Sequence, residues 1–252
     1  MIAGIELPPP PILAACGVGL ALLVPLVARA RRGAAFPERH PAPFLPASPA
    51  PLLLAGFGLL LLSHPLLLPA HKGWGAFLAL GGGALLVAAS TAVWFFLLRR
   101  VFRPRGSEAR RAGEGLVICA AALPLVYGAG VLMQAFGLDE VQSSVEEIAQ
   151  RRPGWIVKAV LAVIVAPVVE EVLFRGCVYP ALRAIHGWRP ALLVSAVLFG
   201  LVHAVPAVIL PMVLFGLALG WLAERTGSLL APIVAHAAFN GLTVATLLAF
   251  GR

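Results

Sequence analysis

Charged side chains are scarce in this chain. Asp, Glu, Lys and Arg make up 12% of its 252 residues and hydrophobic residues 60%, whereas a soluble domain carries about 25% charged and about 45–50% apolar residues. That excludes an ordinary water-soluble protein and leaves no room for a sizeable soluble domain. Cysteine is nearly absent as well. Cys16, Cys119 and Cys177 are odd in number, widely spaced and set in or beside apolar segments, so they read as small buried hydrophobes and not as a disulfide framework. No histidine adjoins Cys177 in sequence to activate it as a nucleophile. No basic residue precedes the first apolar run, so the start does not read as a secretory signal. The zinc signature His-Glu-x-x-His and the Gly-x-Ser-x-Gly elbow are both missing, and no internal repeat stands out.

What fills the chain is a succession of apolar runs long enough to cross a bilayer, which needs about 20 residues per helix. The expected fold class is all-α: a polytopic membrane helix bundle of about eight transmembrane helices with one interfacial amphipathic helix. The spans are expected near 11–28, 52–68, 74–98, 116–136, 155–183, 190–205, 206–223 and 229–250. Between the fourth and fifth, Leu138, Val141, Val145 and Ile148 recur at near-helical spacing among Asp139, Glu140, Glu146 and Glu147, a stretch too polar to span and suited to the interface. Residues 1–136 read as an N-terminal four-helix membrane region and 137–252 as a second, catalytic one. The net charge of +8 comes from arginines gathered at helix ends. That is the pattern of topology signals and headgroup contact, not of nucleic-acid binding. Arginine-rich connections after the first, third and fifth spans place those loops in the cytoplasm and both termini outside.

Against this apolar background, Glu170-Glu171-Val172-Leu173-Phe174-Arg175 brings three charges into a segment that otherwise reads as a membrane span. Each costs about 2.5–3.5 kcal/mol at the centre of a bilayer, so the cluster is expected to serve a function and to find partners on other helices. Glu171 and Arg175 stand four residues apart with the glutamate first, the favourable order for a helical ion pair. Glu170 is rotated by about 100° and has no cation at that spacing. Glu171 and Arg175 are therefore expected to support the structure, and Glu170 to do chemistry.

Two more pairs lie four apart, each on one helical face: Phe199 with His203, and His236 with Asn240. A lone intramembrane histidine more often satisfies a hydrogen bond than catalyses. Together, however, Glu, His, His and Asn are the residue types that activate a water and stabilise an oxyanion. On that reading Glu170 is the general base, His203 helps hold and deprotonate the water, and His236 and Asn240 donate to the tetrahedral oxyanion. A Glu/His/His set could instead hold zinc with an open position, although no compact helical ligand pair anchors one. His40, His64, His71 and His186 read as solvated or interfacial.

Glu170-Glu171-x-x-x-Arg175, Phe199-x-x-x-His203 and His236-x-x-x-Asn240, in this order on hydrophobic segments, resemble the three motifs of the CAAX-protease and bacteriocin-processing (CPBP, or ABI) family. Each motif alone is weak; the set is specific. The resemblance spans about residues 155–244. It implies an eight-helix or similar bundle with a cavity open to one membrane face. It also implies Glu170 and His203 as the water-activating pair, His236 and Asn240 as the oxyanion hole, Glu171 and Arg175 in support, and no metal cofactor, with zinc as the alternative. The implied partners are membrane lipid and a membrane-associated protein or peptide substrate. The arginine- and alanine-rich, lysine-poor composition fits a GC-rich bacterial genome and hence a multi-pass protein of the cell membrane. A different class of reading makes the chain a transporter component or an immunity or scaffold protein, with the polar cluster as a binding site. One geometric tension accompanies the resemblance. At about 1.5 Å per residue, His236 is expected to lie shallower than His203 unless a proline kink brings them level.

Overall fold

A computed structural model describes residues 9–31, 107–141 and 143–250. The spans expected near 52–68 and 74–98, and with them His40, His64 and His71, lie outside the described residues. Within them the chain is helical and has no strand, the all-α membrane bundle expected from composition. In order come α1 (Pro10–Arg31), α2 (Glu108–Ala135), α3 (Ser143–Ala149), α4 (Trp155–Val160), α5 (Ala166–Leu173), α6 (Tyr179–His186), α7 (Trp188–Leu201), α8 (Pro206–Thr226) and α9 (Leu230–Phe250). Of these α2, α8 and α9 are long and apolar enough to cross a membrane.

Helices α4, α5 and α6 form one continuous run joined by two π-helical turns, Leu161–Val165 and Phe174–Val178. Proline explains their positions. Pro167 and Pro180 sit in the first turn of α5 and α6 and carry no N–H. Just before each, the backbone takes on an extra residue, so that Ala166 N–H reaches back to Leu161 and Tyr179 N–H to Phe174. Such wide turns re-phase the helix faces on either side and are common at functional sites. Gly187, at φ 78°, then ends the run and turns the chain into α7.

Boundaries differ from expectation at α2, at the amphipathic stretch and at α7, which ends at Leu201 and not near 205. Helix α2 begins at Glu108, eight residues before the apolar run at Leu116, because Glu108 and the Arg110–Glu114 pair (3.2 Å) support a polar first turn. The amphipathic stretch is helical only over Ser143–Ala149. There Ile148 is buried, and Glu147 pairs with Lys158 of α4.

Helix α2 packs against α1, α8 and α9, while α8 also lies along α7. The core between them holds Ile118, Leu123, Phe199, Phe215, Leu219 and Phe239. The outward faces stay apolar, as with Leu193, Val197 and Leu201 on α7, as suits a lipid-facing surface. Since lipid tails are as apolar as leucine, close helix contact depends on small residues. Gly200 of α7 and Gly216 and Gly220 of α8 let those helices touch. A Cβ on Gly200 would lie 2.5 Å from Val213 Cγ2 and 2.7 Å from the Ile209 carbonyl oxygen. Gly200→Ala is therefore expected to cost about 1–3 kcal/mol by overpacking, read as a lower thermal midpoint in detergent. Gly113→Ala, where a Cβ meets nothing within 4 Å, is the control that should change little.

Candidate active site

The polar cluster forms where α5, α7, α8 and α9 meet. Glu171 is fully buried and accepts from Arg175 Nη1 at 2.9 Å. The guanidinium's Nη2 donates to the Gly216 carbonyl of α8, also at 2.9 Å, and its carbon lies 4.5 Å from the centre of the Phe199 ring. A buried cation is thus met by a carboxylate, a backbone carbonyl and an aromatic face, which together offset much of its desolvation.

Glu171 has a second partner. Its Oε1 also lies 2.9 Å from His236 Nδ1. A carboxylate can only accept, so Nδ1 carries a proton, and the ring is turned so that Nε2 faces Glu170, 3.9 Å from Oε2. Edges and faces of Phe199 and Phe215 hold the imidazole, with centroids 5.8 and 5.4 Å away. The Glu170 side chain is 30% exposed, yet its Oε2 is itself buried and takes no hydrogen bond from the described residues. The two adjacent glutamates differ in their partners: Glu171 Oε1 takes bonds from Arg175 and His236 while its Oε2 takes none, and Glu170 Oε2 takes none and faces His236.

His203 stands outside regular helix. Helix α7 ends at Leu201, and the chain turns through Ala204, a non-glycine residue at φ 56°. That conformation is uncommon for alanine and is held here by the surrounding turn. His203 Nδ1 bonds back to the Phe199 carbonyl at 2.8 Å, and its ring lies 5.1 Å from that of Phe199. His203 and His236 thus both border Phe199. Phe199 is fully buried and touches Phe174, His203, His236 and Arg175. His203 is also within electrostatic reach of Glu170 and His236.

Asn240 lies one turn beyond His236 on α9 and donates from Nδ2 to the Ala162 carbonyl at 2.8 Å. Arg175, His203 and His236 gather around the Phe199 ring, and Glu171 and Glu170 join them through Arg175 and His236. Asn240 is fastened to the first wide turn of the helix that bears the glutamates. His186 is exposed at the end of α6. Among the described residues no three His, Cys, Asp or Glu side chains converge as ligands for a metal ion.

Sequence reasoning missed the Gly216 carbonyl, although Gly216-x-x-x-Gly220 signals close helix approach. It also missed a second, partly buried cluster, in which Tyr179 and Arg183 both donate to Glu224, at 2.7 and 2.8 Å. Those three residues clamp α6 to the end of α8.

Comparison with known proteins bears on residues 152–242, which match the model of the family described as type II CAAX prenyl endopeptidase Rce1-like. That stretch contains every residue of the cluster. The chain is also 29% identical over 109 residues to "Putative membrane peptidase YdiL" of Bacillus subtilis (strain 168), a match covering 43% of this chain. The chain thus spans less than half of that relative, 45% of its length. No solved structure matches the chain. The stretch that carries the three motifs is thus the stretch that is similar to the Rce1-like family model, and that similarity covers residues 152–242.

Proposed function

We propose that the chain is an intramembrane endopeptidase, a hydrolase that uses water to cut a peptide bond of a membrane-associated protein or peptide in the cell membrane. The observation that carries this reading is the contrast between the glutamates. Glu171 Oε1 is bonded to both Arg175 and His236, while Glu170 turns its Oε2, buried and unbonded as Glu171 Oε2 also is, toward His236 Nε2. A gap of 3.9 Å is too long for a direct hydrogen bond, and a water can be held there between acceptor and ring. Glu170, with His203 beside it, is the base that takes the proton as the water attacks the carbonyl. His236, protonated at Nδ1 by its bond to Glu171, donates from Nε2 when it holds a second proton. With the second N–H of the Asn240 amide it faces the oxyanion.

Zinc chemistry is not needed in this scheme, because Glu170 and His203 supply the proton transfer and His236 and Asn240 the oxyanion donors. Activity is expected to survive 1,10-phenanthroline, and active protein is expected to contain no stoichiometric zinc by elemental analysis. A zinc ion that tracked activity and was lost in His203→Ala would replace the glutamate scheme by a metal one. The proposal as a whole is tested by comparing new peptide termini in membranes of cells with and without the native chain. Termini that depend on the chain support it, and their absence counts against it.

A further inference from the structure

The first wide turn of the catalytic run leaves one carbonyl without a helical donor. In an α-helix the oxygen of Ala162 would accept from residue 166. Here the Ala166 N–H is bonded to Leu161 instead. The next donor in the wide register would be residue 167, and Pro167 has no N–H. The Ala162 oxygen is therefore orphaned within its own helix, a costly state in a membrane interior. Asn240 Nδ2 fills the gap at 2.8 Å.

We propose that Asn240 is a positioning residue. Its amide closes the proline-made turn of the catalytic run and so fixes the rotation of α5, two turns later, that points Glu170 at His236 and not at lipid. His236–Glu171 and Asn240–Ala162 are then two fastenings, one turn apart on α9, that hold the catalytic run at two depths. The orienting role rests on the peptidase reading, but the fastening itself does not. It is compatible with an oxyanion role for the second amide N–H, and it predicts effects that such a role does not produce.

The test replaces the missing donor. Pro167→Ala restores an N–H at position 167, which in the existing register reaches the Ala162 oxygen directly. Asn240→Ala alone should speed backbone amide exchange in peptides covering residues 161–170 at least tenfold, in the parent chain and equally in the inactive Glu170→Gln background. Pro167→Ala combined with Asn240→Ala should restore that protection and recover at least tenfold of the cleavage lost in Asn240→Ala. Unchanged exchange in Asn240→Ala, or restored protection without any recovered cleavage, would overturn the positioning role and leave Asn240 an oxyanion donor only. If exchange responds as expected while no chain, the parent included, cleaves anything, the fastening stands and the peptidase reading falls.

Discussion

Glu170→Gln is expected to abolish hydrolysis while leaving a folded, detergent-stable protein. The exchange keeps the size of the side chain and removes only its basicity. Loss of a positioned general base typically lowers rates by about 10²–10⁴-fold, and here the same carboxylate is also expected to hold the water. Stability should change little, since Glu170 Oε2 accepts no hydrogen bond from the described residues and the side chain is partly exposed. An amide there removes a buried charge instead of stranding one. The check is paired: thermal midpoint and cleavage on the same purified preparation. A variant that unfolds, or that cleaves at the parent rate, contradicts the role given to Glu170.

The opposite outcome is expected one residue along. Arg175→Ala strands the fully buried Glu171 without its cation, and Glu171→Ala strands Arg175 among Phe174, Phe199 and the Gly216 carbonyl. Removing one partner of a buried pair costs about 3–5 kcal/mol, a large share of the roughly 5–15 kcal/mol by which folded proteins are stable. Either variant should be recovered in low yield. The double change Glu171→Gln with Arg175→Met leaves no buried charge unpaired and should regain much of that stability. It should not regain activity, because an amide in place of the Glu171 carboxylate no longer fixes the charge and tautomer of His236. Expression and thermal unfolding of the three variants, followed by cleavage by the double variant, separate the two duties of Glu171.

The bond between Glu171 and Arg175 is legible in the sequence, because contacts within a helix follow from its pitch. The membrane bundle and most helix ends are legible for a similar reason: hydropathy and proline reflect local rules. Contacts between helices are not. Nothing in the spacing reveals that His236 bonds to Glu171, that Arg175 reaches Gly216, or that Asn240 reaches a backbone oxygen next to a wide turn. Pro167 marks the turn, but a proline alone does not tell a kink from an extra residue. The four-residue spacing from Phe199 places His203 on the face of a continuing helix, whereas the helix has already ended at Leu201. The short helix α7 allows this, and the bond from His203 to the Phe199 carbonyl maintains it.

The central claim is that Glu170 activates water to cut a peptide bond. Its most direct measurement uses purified protein reconstituted into vesicles with membrane extract from cells lacking it, in water enriched in oxygen-18. Mass spectrometry then reads the new carboxyl termini. The account predicts termini that carry solvent oxygen, form with the native chain and vanish with Glu170→Gln. Termini formed equally by Glu170→Gln, or none formed by the native chain, would contradict it.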